Sequence, residues 1–214
     1  MHEFDAAEWD ALAGTQPFLR HAFLHALEQS RCVSAESGWQ PHHLGLWQGT
    51  RLAAAMPLYL KSHSYGEYVF DWSWADAYER AGGRYYPKLL CAVPFTPVPG
   101  PRLLGADEAD RGLLIKTALG FATEAGLSSF HCLFPQADSD AAFAQAGLMQ
   151  RSGYQFHWPN PGYDNFDQFL ATLAHDKRKK IRQERKKLNT LGVTFRWVEG
   201  AASTDADWDH FYRC

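Results

Sequence analysis

The chain has 214 residues, 46% of them hydrophobic and 21% charged, a balance that excludes a disordered tail or a fibre and fits one domain or two small ones. The formal net charge of −3 excludes a polybasic nucleic-acid coat, yet it hides an asymmetry. Residues 177–187 hold eight basic side chains and one acidic one, a local +7 against −10 for the rest, so this run is either a solvated helix face or a place for an anion.

In chain order, the spacing of Leu19, Phe23, Ala26 and Leu27 predicts a helix over 15–31, with Thr15 as cap and Pro17 in the first turn. His21 and His25 lie one turn apart on it but lack the glutamate and third ligand of a zinc site, so no metal is expected. Two apolar segments flanking Gln48-Gly49-Thr50-Arg51 predict an antiparallel hairpin over 44–60. Residues 67–72 read as a further strand. Residues 85–104 hold five of the eleven prolines and are expected to be an edge strand and loop rather than a central strand.

A helix follows over 107–125, stopped by Gly126, then a short buried strand over 128–134. A short helix over 138–146 and a strand over 151–158 complete the first part. Pro159, Pro161 and Gly162 punctuate the chain and mark the expected domain boundary, giving one domain over 1–158 and another over 163–214. In the second, Asn165 and Gln168 suit a capping box opening a long basic helix over 165–191, stopped by Gly192. Lys177, Lys180 and Glu184 lie nearest its Ile181 stripe and could turn inward. A strand over 193–199 and an amphipathic helix from 204 follow. The chain ends within that helix, where Trp208, Phe211 and Tyr212 call for a core. The fold class expected is α/β, with a mixed α+β sheet.

No apolar run approaches the ~18–20 residues of a spanning helix, and the start MHEFDAAEWD lacks the features of a secretory signal. Cys32, Cys91, Cys132 and Cys214 have no CxxC spacing and read as reduced thiols, so a soluble cytoplasmic protein is expected.

Two stretches could carry chemistry. Residues 65–86 hold eight aromatics, among them Trp72, Trp74, Tyr78 and Tyr86, interleaved with Glu67, Asp71, Asp76 and Glu79. Aromatic walls with a few placed carboxylates suit a cleft that grips a sugar, peptide or amine and removes a proton. A core strand followed by a self-packed loop is the plainer reading. The second stretch is the basic run, where Lys177, Arg178 and Arg182 could bind phosphate. Walker A, GxGxxG and GxSxG motifs are absent, as is the pyrophosphate loop of ordinary acetyltransferases.

Residues 164–199, DNFDQFLATLAHDKRKKIRQERKKLNTLGVTFRWVE, resemble the helix that opens the second domain of the Fem-type peptidoglycan aminoacyltransferases. That helix carries a run of the type Lys-x-Arg-x-x-Ile-Arg; Arg178, Ile181 and Arg182 match it, while Asp176 departs at the lysine position with Lys177 beside it. GEYVFDWSWADAY, YYPKL and PFTPVPGPRLL resemble the FemAB-like branch of N-acyltransferases, related to the GNAT superfamily.

The resemblance implies two GNAT-like domains, the second only opened by residues 163–214, so a fragment is expected; with Trp208, Phe211 and Tyr212 lacking a full core, it is expected to be marginally soluble and inactive as a transferase on its own. It implies transfer of an acyl or aminoacyl group from acyl-CoA or aminoacyl-tRNA, with no tightly bound cofactor, to an amine such as a peptidoglycan precursor. Glu67 or Asp71 would be the base. Trp72, Trp74, Tyr78, Tyr86, Lys177, Arg178 and Arg182 would bind substrate. Neither long nucleic acid nor a membrane span is expected. The alternative is a non-catalytic module gripping a glycan, a peptide or an anionic ligand.

Overall fold

Asp5 opens helix α1 (Ala6–Ala13) by accepting from the backbone N–H groups of Ala7 and Glu8, as a short acidic side chain does at a helix start. The helix expected over 15–31 is shorter. A 3-10 turn, Pro17–Leu19, leads through an extended Arg20 into α2 (His21–Gln29). The computed structural model describes residues 1–214, which form two compact units, Met1–Ser152 and Gly153–Cys214. The class is mixed α/β, as the alternation of elements implies.

In unit 1, β1 (Trp39–Pro41), β2 (Leu44–Gln48), β3 (Arg51–Met56) and β4 (Leu58–Lys61) come first. Helix α3 (Trp72–Arg80), β5 (Lys88–Cys91), α4 (Glu108–Glu124), β6 (Phe130–Cys132) and α5 (Ala137–Gln145) follow. β2 and β3 make the expected antiparallel hairpin, turning where Gly49 has a positive φ. Pro57, which has no N–H for a ladder, stands where the chain leaves that hairpin for a four-stranded sheet of order β1-β4-β5-β6. Its pairings are antiparallel except β5 with β6, which is parallel.

β5 is therefore interior, contrary to the edge strand expected within 85–104. Its prolines flank the strand, at Pro87 and Pro94, and leave every N–H of Lys88–Cys91 free for pairing. The expected strand over 67–72 is absent. Tyr68 and Phe70 have positive φ (60° and 51°), which extended pairing does not allow, and α3 begins at Trp72. The strand expected over 128–134 contracts to half-buried β6, and residues 151–158 form none.

Side chains alternate across the main sheet. Leu58, Leu89 and Cys91 pack with Leu114, Ile115, Ala118 and Ala122 of α4 and Phe143 of α5. Trp39, Tyr59 and Leu90 pack together with Val33 in another cluster. Lys61 lies two residues after Tyr59 and Lys88 two before Leu90, so the period of two puts both lysines on the Tyr59–Leu90 face. A third cluster joins Trp9, Ala13, Leu19 and Leu24 of the N-terminal helices to Ala55 and Leu104.

Unit 2 holds α6 (Phe166–Ala171), α7 (His175–Thr190) and α8 (Asp205–Arg213). The single helix expected over 165–191 is broken, because Ala174 is extended (φ −54°, ψ 146°) and α7 starts anew after it. Asn165 caps α6 by accepting from Gln168 N–H, but the Gln168 side chain returns to Asp164 N–H, so the reciprocal box is shifted by one residue. α7 buries no residue, and Lys177, Lys180 and Glu184 do not turn inward. No strand forms over 193–199. Thr204 and Asp207 make a complete capping box at α8. No helix is long and apolar enough to cross a membrane.

Candidate functional site

Lys61 ends β4 and Lys88 starts β5, and the antiparallel register sets them directly opposite one another. Both are fully buried. Like charges facing each other across a ladder repel, so this position requires anions or the loss of a proton. The loop after β4 supplies two carboxylates. Lys88 Nζ donates to Glu67 Oε2 at 2.9 Å, to Asp71 Oδ2 at 2.8 Å and to Ser64 Oγ at 2.9 Å, which uses all three of its protons. Tyr85 OH donates to Asp71 Oδ2 at 2.9 Å, and Tyr86 OH lies 2.7 Å from Ser64 Oγ.

Lys61 has a different environment. Its Nζ donates to the Tyr65 carbonyl at 3.2 Å and stands 3.6 Å over the Trp39 ring. The Trp39 indole N–H donates to that same carbonyl at 3.0 Å.

These surroundings push the ionisable groups apart. Burial alone would raise Asp71, but its hydrogen bond and charge contact with Lys88 bring it below the ordinary carboxylate value. Burial raises Glu67 despite Lys88. Burial, aided by the Lys88 charge, lowers Lys61 to about 7, against the opposing pull of Glu67 and Asp71. His131, one residue into β6, is lowered to about 4 by burial and then by Lys88. Burial and the bond to Asp71 raise Tyr85. Glu67 Oε1 and Asp71 Oδ1 are buried and have no hydrogen-bond partner. Carboxylates divided in this way, one held as an anion and one poised to take a proton, are the arrangement acid–base chemistry uses.

The loop that carries the carboxylates is shaped by Gly66. Its φ is +80°, and a Cβ there would lie 2.5 Å from the Phe95 ring. Asp71 occupies the N-cap of α3 but makes no capping bond, because its carboxylate turns to Lys88. Beyond it, Trp72, Trp74 and Tyr78 are at least half exposed, as are Tyr65, Tyr68 and Phe70. Trp72 packs edge-on or tilted against Tyr65 and Phe70, with centroids 5.8 and 5.9 Å apart. The Arg151 guanidinium lies 5.9 Å from the Trp74 ring centroid.

Of the residues singled out in the sequence, Glu67, Asp71 and Tyr86 meet in one polar cluster, whereas Trp72, Trp74 and Tyr78, half exposed or more, leave α3 in different directions, toward Tyr65 and Phe70, Arg151 and Tyr85 respectively. Sequence reasoning missed Lys61, Ser64, Lys88 and His131. The available signal was a lysine at an inward position of an apolar strand, in LYLK and again in KLLC.

In unit 2, His175, Arg178, Lys179, Arg182, Gln183 and Lys186 lie along one open face of α7. Four cations share this face of α7, and Lys177 does not line it. Arg182 also borders a concavity, where Asp167 lies 3.8 Å from its guanidinium. His21 and His25 stack with centroids 5.4 Å apart, and no group of three or more His, Cys, Asp or Glu side chains is placed to hold a metal ion.

A family model named FemAB-like and described as peptidoglycan biosynthesis/recognition matches residues 1–214. No curated protein and no solved structure matches the chain significantly.

Proposed function

The chain belongs to the FemAB-like family, whose described role is peptidoglycan biosynthesis/recognition, and on that premise we propose that unit 1 bears the acceptor side of an N-acyltransferase. The observation that carries the reading is the pair of carboxylates on Lys88, pushed to opposite protonation tendencies, each with one buried oxygen unpartnered. In the reaction an amine attacks the acyl carbonyl of a thioester or ester. A C–N bond forms, the C–S or C–O bond breaks, the amine proton passes to a base, and the leaving thiolate or alkoxide takes a proton. Glu67, raised by burial, is the base, and because its carboxylate is 1% exposed the amine reaches it when the loop that carries it moves; Asp71 stays ionised as the counter-charge of Lys88.

The aromatic side chains of 65–78 offer flat faces to a sugar or peptide acceptor. In unit 2, Arg178 and Arg182 suit a phosphate, of donor or acceptor, through charge-assisted bonds. Lys177, off their face, takes no part. On this reading unit 1 is one GNAT-like domain and unit 2 belongs to a second.

The test supplies the intact protein with acetyl-CoA or alanyl-tRNA and a lysine-bearing stem peptide, and reads the peptide mass. Transfer that Glu67→Gln lowers at least 100-fold, with peptide binding kept, supports the reading. A second reading, a module that binds without catalysis, is favoured by the six exposed rings between Tyr65 and Tyr78. It expects tryptophan fluorescence to respond to the peptide, Trp72→Ala and Trp74→Ala to abolish the response, and no mass gain with either donor.

A further inference from the structure

We propose that Lys61 is a positioning residue that sets the proton affinity of Glu67 through its own gain and loss of a proton. The inference rests on Glu67 being the base, and it adds the group that governs when that base is available.

The geometry begins with the ladder. Lys61 and Lys88 are register partners on adjacent strands. Two ammonium ions there would share two carboxylates, but the sharing is unequal. Lys88 takes Glu67, Asp71 and Ser64, and so has an acceptor for every proton. Lys61 has one carbonyl, that of Tyr65, and the face of Trp39. A buried ammonium with one hydrogen-bond acceptor is poorly compensated, whereas a neutral amine needs fewer acceptors. The site therefore favours Lys88 as the permanent cation and Lys61 as the group that changes charge.

The other ionisable neighbours leave that role to Lys61. Glu67 and Asp71 face it from the loop and Lys88 from β5, and each contributes to its shift. His63, just beyond β4, is itself lowered by burial and by the Lys61 charge. Tyr85 and Tyr86 are raised and stay neutral near pH 7, and His131 on β6 is neutral above about 4. For Lys61 itself, burial and these charges together bring the midpoint to about 7.

The sign follows directly. Protonated Lys61 stabilises the Glu67 carboxylate and lowers its proton affinity. As Lys61 loses its proton, Glu67 feels one cation fewer and binds a proton more readily. Lys61 lowers Glu67 through its charge alone, with no bond between them, and less than Lys88 does.

The experiment is a carbon-13 NMR titration of side-chain-labelled glutamate in the intact protein between pH 4 and 9, with Glu67 assigned through Glu67→Gln. Wild type is expected to show a second inflection of Glu67 near pH 7. Lys61→Arg, a permanent cation, loses that inflection; Lys61→Met moves the Glu67 midpoint up. A Glu67 curve without the inflection in wild type, or unchanged in Lys61→Arg, overturns the proposal. Should Lys61→Met fail to fold, wild type and Lys61→Arg decide. The titration needs no substrate, so a failure of the acyltransferase reading shows instead as transfer unaffected by Glu67→Gln. Where transfer is measured, the Lys61 role shows as a displaced pH profile of kcat/KM rather than a uniform loss.

Discussion

Lys88→Met keeps the stem of the side chain in its apolar surroundings and removes the one cation that joins Glu67 to Asp71. Those carboxylates are 1% and 4% exposed, so they cannot recover hydration without moving the loop. Removing one partner of a buried ion pair costs about 3–5 kcal/mol. Here one cation serves two anions, and the hydrogen bond of Lys61 goes to Tyr65 rather than to a carboxylate. The expected loss at pH 7 is therefore about 5 kcal/mol, the top of that range, a large part of the roughly 5–15 kcal/mol that holds a domain together.

The pH dependence provides the sharper check. In wild type the folded Asp71 value lies below its unfolded one. Its stabilisation is present above the unfolded value and is lost as pH falls through the folded value. In the Met variant the lysine no longer opposes burial, so the buried carboxylates take up protons in the folded state, and the penalty shrinks as pH falls. Urea unfolding should then show a wide gap between variant and wild type at pH 7 that narrows toward pH 4. The triple variant Lys88→Met/Glu67→Gln/Asp71→Asn, which removes all three charges of the Lys88 cluster, should recover most of the loss. A Lys88→Met loss under about 1 kcal/mol at pH 7, or one that pH leaves unchanged, would refute the reasoning.

Other consequences are as direct. His131, lowered to about 4, should titrate far below the ordinary 6.5 in nitrogen-15 NMR. Its contribution to stability is complete above about 6.5 and declines as pH falls toward 4, a sensitivity that His131→Gln should remove. Gly66→Ala, at φ +80° and against Phe95, should destabilise unit 1 by about 1–3 kcal/mol in urea unfolding. Calorimetry with inorganic pyrophosphate should give weaker binding for Arg178→Ala and Arg182→Ala. Lys177→Ala, off their shared face, should bind as wild type does.

What the sequence revealed depended on whether local patterns were left to act alone. Asp107, the apolar spacing of Leu114, Ala118 and Ala122, and Gly126 describe α4 to within a residue at each end. The hairpin turned where Gly49 stands, because a positive φ is needed there and glycine supplies it. Residues 67–72 read as a strand because Tyr68, Val69 and Phe70 favour one locally. The contacts of Glu67 and Asp71 with Lys88, 21 and 17 residues away, override that preference. The carboxylates of the site were legible by their place among aromatic residues. Their lysines were not, since a lysine at a strand end usually reaches water and only its inward position indicates otherwise. On α7 Arg178 and Arg182 were singled out by the family motif, with Lys177 beside it; the helix puts the two arginines on one face and Lys177 off it.

The loop and the aromatic face are linked through one residue. An aspartate at a helix N-cap ordinarily bonds the first-turn N–H groups, a contribution of about 1 kcal/mol. Asp71 gives this up for Lys88, so the start of α3 is fixed by a contact with the sheet rather than by the helix itself. Tyr68 and Phe70 hold left-handed conformations, each costing about 1–3 kcal/mol, and only a strong anchor on either side sustains them. Glu67 and Asp71 are those anchors. Trp72 follows Asp71 directly, and Trp74 and Tyr78 follow within two turns, so the direction of all three rings depends on the ion cluster. A change in protonation at Glu67 thus acts on the ion cluster and, through Asp71, on the start of the helix that carries the exposed rings.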